Sequence, residues 1–163
     1  MESTHGKLID ELAEAEKLWQ VADHLIYVTL PVVRDSKLMV RALENLYKSI
    51  SKNISVVLKF EYLYGRVRLS DNSKKNLDVF FSKCSGRYGL DENDGEMIRQ
   101  LMNLGKKHKE SGFEFTRYGK IIILDDNLRS VEINAEKLKV FIKVGRKLLE
   151  NTNRNFSSVF RKV

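Results

Sequence analysis

The chain has 163 residues, of which 42% are hydrophobic and 31% are charged, and this composition and length predict one folded domain spanning residues 1–163. The net charge of +7 favours an anionic partner. The single cysteine, Cys84, excludes an internal disulfide and a cysteine-based zinc cluster, and the lack of a long apolar run predicts a cytoplasmic protein with no membrane partner.

A regular apolar pattern predicts a first helix that ends at Pro31. Its buried positions recur at spacings of three and four residues: Leu8, Leu12, Ala15, Trp19, Ala22 and Ile26. Its outer face is acidic: Asp10, Glu11, Glu14, Glu16 and Asp23. A turn follows, in which Asp35 or Ser36 is the predicted N-cap of a second helix that packs antiparallel to the first.

The second predicted helix carries a row of basic residues, which we call the basic stripe. At about 100° per residue its members fall within an arc of about 60°: Lys37, Arg41, Lys48, Lys52, Lys59 and Arg66. The opposite side is apolar, so the pattern predicts a long amphipathic helix in contact with more than one neighbour. Glu44 and Glu61 lie among the basic residues and would weaken their field.

The remaining pattern predicts two helices, a small sheet and a last helix. Ser70 or Asp71 would cap a third helix that runs to Cys84, and a fourth runs from Asp91 to Lys109. Alternating residues between Phe113 and Ile133 predict an antiparallel β-hairpin or meander. The last helix spans Ala135 to Glu150, and the residues after it form a frayed or short tail.

The last helix has a second basic face, formed by Lys139, Lys143, Arg146 and Lys147. If the two basic faces adjoin, they form a phosphate-binding surface. Its predicted residues are Lys37, Arg41, Lys48, Lys52, Lys59, Lys143, Arg146 and Lys147. Two alternatives stay open, because each face is also typical of solvated lysines, and the acidic first helix of one subunit also suits the stripe of another.

Signals for catalysis and metal binding are weak. None of the three histidines stands four residues from another, as two metal ligands on one helix face would. Asp125 and Asp126 adjoin in sequence, and Asp-Asp-Asn is more typical of a turn than of a cation site. No phosphate-binding glycine loop occurs. We therefore predict no catalytic residue, no metal and no cofactor.

The first two helices resemble those of the HEPN superfamily, which is widespread in archaea and bacteria. The segments that carry the resemblance are Ala22-Asp-His-Leu-Ile-Tyr and Arg41-Ala-Leu-Glu-Asn-Leu-Tyr-Lys-Ser-Ile. The resemblance implies a helical bundle, often dimeric, that binds or cleaves RNA. The superfamily's motif, an arginine followed by four to six residues and a histidine, is absent, because eight residues separate Arg99 from His108.

We therefore predict a mainly α protein, a bundle of about five helices with a small antiparallel β-hairpin or meander near residues 113–133. The predicted function is a non-catalytic HEPN-like module that binds RNA or another polyanion and forms a homodimer. The alternative is a homo-oligomeric interaction or scaffold domain without a nucleic-acid role. A metal-independent ribonuclease that uses His24 or His108 is the third hypothesis.

Overall fold

The computed structural model describes residues 3–110, 114–117, 119–124, 127 and 129–160. In this part of the chain, five helices pack around one hydrophobic core, and a three-stranded antiparallel sheet lies against them. The predicted fold class, a helical bundle with a small β-meander, is confirmed. No helix in the same residues has the length and apolar character needed to cross a membrane.

The first helix, α1, runs through Pro31 instead of ending there. Its consecutive segments are the α-helix Thr4–His24, the π-helical turn Leu25–Thr29 and the α-helical turn Leu30–Val33. It ends at Arg34, whose φ of 57° is left-handed. The prediction that Pro31 ends the helix is wrong. Proline lacks an N–H and its ring crowds the preceding turn of a regular α-helix, and the wider π-helical turn before Pro31 accommodates both.

The second helix, α2, spans Lys37–Leu63 and lies at the centre of the bundle. The Asp35 carboxylate caps it, because its Oδ1 accepts a hydrogen bond from the backbone N–H of Lys37 at 3.0 Å. This confirms one of the two predicted caps. The helix ends before Arg66, so that residue belongs to the following loop.

The third and fourth helices, α3 and α4, complete the helical layer beside α2. They are Ser73–Val79, which continues into a π-helical turn at Phe80–Cys84, and Glu92–Glu110. Asn72 caps α3, not Ser70 or Asp71 as predicted, because its Oδ1 accepts hydrogen bonds from two backbone N–H groups of the first turn. The predicted start of α4 at Asp91 agrees with the structure, in which Asp91 precedes the helix and its Oδ1 accepts a hydrogen bond from the backbone N–H of Asp94 at 2.7 Å.

The sheet is a meander in the order β1-β2-β3. Its strands are Glu114–Arg117, Lys120–Leu124 and Ser130–Asn134. Ile121 pairs with Ile133 across β2 and β3, and both side chains are buried together with Ile123. These isoleucines attach the sheet to the bundle core. The predicted positions Phe113, Tyr118, Asp125 and Asp126 lie outside the described residues.

The last helix, α5, spans Ala135–Phe160 and is ten residues longer than predicted. The predicted tail after Glu150 is helical because its apolar positions continue the buried face of the helix. Thr152 and Phe156 are buried, and the Phe156 ring centroid lies 4.4 Å from that of Phe60 on α2. The C-terminal part of α5 therefore contributes to the core.

Candidate nucleic-acid interface

Carboxylates of α1 neutralise two of the six residues of the basic stripe. Glu14 Oε2 lies 2.5 Å from Lys52 Nζ, and Glu11 Oε2 lies 3.1 Å from Lys59 Nζ. This order confirms that α1 and α2 run antiparallel. The sequence left open whether the acidic helix meets the stripe of a second subunit, and in the structure it pairs with the stripe of its own chain.

Three basic side chains at the N-terminal end of the stripe have no carboxylate partner in the described part of the chain. Lys37, Arg41 and Lys48 are exposed, and spacings of four and seven residues place them on one side of α2. We call these three residues the open end of the stripe. They form a row of cations on a rigid helix, and such a row can face successive phosphates.

A groove of about 230 Å³ adjoins Lys48 between α2 and α4. Its lining residues are Glu44, Tyr47, Lys48, Gly105, His108 and Lys109. A methyl group at Gly105 would overlap the Tyr47 ring, so the glycine allows this ring to lie directly against α4. Lys109 Nζ lies 5.9 Å from the centroid of the same ring. The groove thus combines an aromatic face with two lysines.

Sequence reasoning did not include Tyr47 and Lys109 among the binding residues. Tyr47 belongs to the apolar side of the α2 pattern, and Lys109 was interpreted as part of a basic helix end. Both reach the groove because α4 crosses α2 at Gly105. The available sequence signal was the small residue in the middle of an otherwise regular helix, since a glycine there indicates a close approach of another element.

His108 and Arg99 do not form a joint site. They are nine residues apart on α4, which places them about 180° apart around the helix. His108 Nε2 lies 2.8 Å from Glu44 Oε1, and the Arg99 guanidinium carbon lies 4.0 Å from the centroid of the Phe81 ring. The described residues contain no group of three side chains able to hold a metal ion.

The basic face of α5 is largely paired. The Arg146 guanidinium lies 3.8 Å from Asp23 Oδ1, and Lys147 Nζ lies 2.5 Å from Asp94 Oδ2. Burial raises the pKa of Asp94, but the hydrogen bonds from Asp91 and Lys147 and the positive charge of Lys147 together outweigh it and hold this pKa below its usual value. The hydrogen bond to Asp94 raises the pKa of Lys147. Lys143 is exposed and has no carboxylate partner in the described residues.

Helix α1 lies between the two basic faces. One flank of α1 pairs with the stripe through its glutamates, and the other contacts α5. On that second flank, Trp19 Nε1 donates a hydrogen bond to the Ile142 carbonyl at 2.9 Å, and the Arg146 guanidinium lies 5.0 Å from the Trp19 ring centroid. At these contacts α1 therefore separates the paired part of the stripe from the basic face of α5.

Glu61 is buried, although the sequence pattern places it among the exposed residues of the stripe. Its carboxylate accepts hydrogen bonds from Arg66, Arg87 and the Tyr88 hydroxyl at distances of 2.9–3.3 Å. Burial, and then the Glu61 charge, raise the pKa of Tyr88 above its ordinary value and the pKa of Cys84 to about 11. This cluster joins α2 to the segment after α3 and removes Arg66 from the stripe.

The chain was also compared with models of protein families and with curated protein sequences. Neither comparison gives a match. The functional argument therefore rests on the geometry of the open end of the stripe and of the adjoining groove.

Proposed function

We propose that this protein is a non-catalytic module that binds RNA through the open end of the stripe and the adjoining groove. The observation that carries the proposal is the contrast along α2. Lys52 and Lys59 are neutralised by α1, whereas Lys37, Arg41 and Lys48 have no carboxylate partner in the described residues. Cations without partners are the groups that release counterions when they bind phosphates.

The dimensions of the open end suit a single strand. Lys37 and Lys48 are eleven residues apart, or about 16 Å along the helix axis. Tyr47 adjoins Lys48 and offers an aromatic face, on which unpaired bases stack with little dependence on sequence. Lys109 on the other wall adds a further cation. The resemblance to the HEPN superfamily favours RNA as the polyanion, and the separation of Arg99 from His108 favours binding without cleavage.

The experiment compares two variants that each lose two positive charges. The first variant, Arg41→Gln/Lys48→Gln, changes the open end of the stripe. The second, Lys52→Gln/Lys59→Gln, changes the two lysines that α1 neutralises. Labelled single-stranded RNA is titrated at several salt concentrations. We expect the first variant to lose about tenfold in affinity and about 1.4 in the slope of log K against log salt, because it loses two phosphate contacts. The second variant should bind nearly as wild type does.

An equal loss in both variants would contradict the proposal, because it would show a response to net charge and not to the open end. RNA binding that does not depend on salt would also contradict it, as would RNA that the wild-type protein cleaves.

A second candidate function is that of a homo-oligomeric interaction domain. The observation that favours it is a group of exposed apolar side chains at the C-terminal end of α2. Tyr62, Leu63 and Tyr64 are 56%, 47% and 42% exposed. Light scattering after size-exclusion chromatography tests it. A concentration-dependent dimer that Tyr62→Ser/Leu63→Ser dissociates would support this function, and a monomer at all concentrations would contradict it.

A further inference from the structure

The C-terminal end of α1 carries a second group of exposed apolar side chains, which we call the apolar tip. Its members are Tyr27, Val28, Val32 and Val33, and they are 50%, 53%, 81% and 58% exposed. All four lie within the last two turns of one helix. Single exposed apolar residues are ordinary on protein surfaces, but a contiguous group marks an interaction site.

The shape of the apolar tip argues against a peptide partner. Val28 and Val32 are four residues apart along a continuous helix, so they face the same side. The helix ends directly after Val33 at the left-handed Arg34, where the chain reverses into α2. Because Val32 is 81% exposed, the tip is convex and has no walls. Peptide ligands usually bind in a groove or along a strand edge. A deformable partner, such as a lipid surface, can bind a convex tip without either.

The charge around the apolar tip is positive. Arg34 follows it directly, and Lys37 and Arg41 begin the next helix. Lys139 Nζ lies 5.4 Å from the Tyr27 ring centroid and is paired with Glu136 Oε1 at 3.2 Å. Asp35 stands among them, and its carboxylate accepts the backbone N–H of Lys37. The tip of a second copy would carry the same positive charges and repel this one. An apolar centre with basic residues around it complements an anionic lipid surface.

We propose that the apolar tip docks this protein peripherally on anionic lipid bilayers. Val28 and Val32 enter the boundary between headgroups and acyl chains, and Arg34 and Lys37 contact the lipid phosphates. This activity goes beyond the proposed RNA binding. It uses Lys37, at the start of α2, whereas the groove of the RNA proposal adjoins Lys48. Peripheral docking of this kind requires only a few inserted side chains, so it does not depend on a membrane-spanning helix.

The experiment uses the full chain and sedimentation with large vesicles. One set of vesicles contains phosphatidylglycerol and phosphatidylcholine, and the other contains phosphatidylcholine alone. We expect binding to the anionic vesicles only. Val28→Ser/Val32→Ser should lower the affinity at least tenfold, because it removes the inserting groups. The matched control Ile9→Ser/Val21→Ser changes two exposed apolar residues elsewhere on α1 and should bind as wild type does.

A second measurement does not depend on loss of function. Val32→Trp adds a tryptophan at the tip to the native Trp19, and the emission that it adds to the wild-type spectrum should shift to shorter wavelength with anionic vesicles but not with neutral ones. An unshifted spectrum, or equal binding by wild type and Val28→Ser/Val32→Ser, would overturn the proposal. The RNA proposal is separable, because we expect Val28→Ser/Val32→Ser to keep RNA binding, and Lys48→Gln/Lys109→Gln, which changes only the groove, to keep vesicle binding.

Discussion

Glu14 and Lys52 join the acidic face of α1 to the basic stripe of α2, with 2.5 Å between Oε2 and Nζ. The hydrogen bond from Lys52 and its positive charge hold the pKa of Glu14 below its ordinary value. Both side chains are at least one third exposed, so the pair contributes little to stability. Its larger consequence is that α1 limits the part of the stripe that can meet a polyanion.

Removing this neutralisation should strengthen RNA binding. In Glu11→Gln/Glu14→Gln, Lys52 and Lys59 lose their carboxylates and extend the open end of the stripe. We expect tighter binding and a salt dependence that is steeper by about 1.4 in log–log slope, because two more cations contact phosphates. Asp10→Asn/Glu16→Gln is the matched control, since it removes two exposed acidic charges of α1 that are not paired with the stripe. An equal gain in RNA affinity in both variants would indicate that net charge alone determines the affinity.

Gly105→Ala should destabilise the protein and distort the groove. The added methyl group overlaps the Tyr47 ring, which must move or push α4 away from α2. Overpacking of this kind costs about 1–3 kcal/mol of the free energy of unfolding. Urea unfolding measures it. Gly86→Ala is the control, because nothing lies within 4 Å of its added methyl group, and we expect a change below about 0.5 kcal/mol.

Phe156→Ala tests the extension of α5. The ring packs against Phe60 and is 2% exposed, so truncation should cost about 3–5 kcal/mol of the free energy of unfolding. Ser158→Ala, on an exposed site of the same helix, should leave stability nearly unchanged. Denaturant unfolding measures the change in the free energy of unfolding for each of the two variants. A frayed tail, one of the two forms that the sequence predicts, would make both substitutions neutral.

The Cys84 thiol should make stability fall in alkaline solution. Burial, and then the Glu61 charge, raise its pKa from 9.0 to about 11, so the folded state holds the proton more tightly than the unfolded state does. The resulting stability is complete below pH 9 and is lost as the pH rises towards 11. Unfolding midpoints measured between these values should fall less steeply in Cys84→Ala. The pH dependence of the midpoint that remains in Cys84→Ala reports the titration of Tyr88, whose pKa is also raised.

The fold was largely predictable because its signals are local and repeated. Apolar periodicity predicted five helices, and alternating residues between Phe113 and Ile133 predicted a hairpin or meander. The two errors in the helices have different causes. At Pro31, a π-helical turn of α1 itself accommodates the proline, and the apolar spacing does not indicate such a turn. At the end of α5, the segment predicted as a tail is helical and packs Phe156 against Phe60 of α2, a partner that the local pattern does not show.

The sequence by itself determined the helical bundle, the amphipathic faces and the basic row on α2, since each depends only on the spacing of residues along one helix. Tertiary structure alone decided which of those cations stay without a carboxylate. Glu11 reaches Lys59 across 48 positions of the chain, Glu14 reaches Lys52 across 38, and Gly105 brings Lys109 to Tyr47. The interaction between two charges depends on their distance in space. A pattern along the chain therefore predicts which helix face carries cations but not which carboxylates neutralise them.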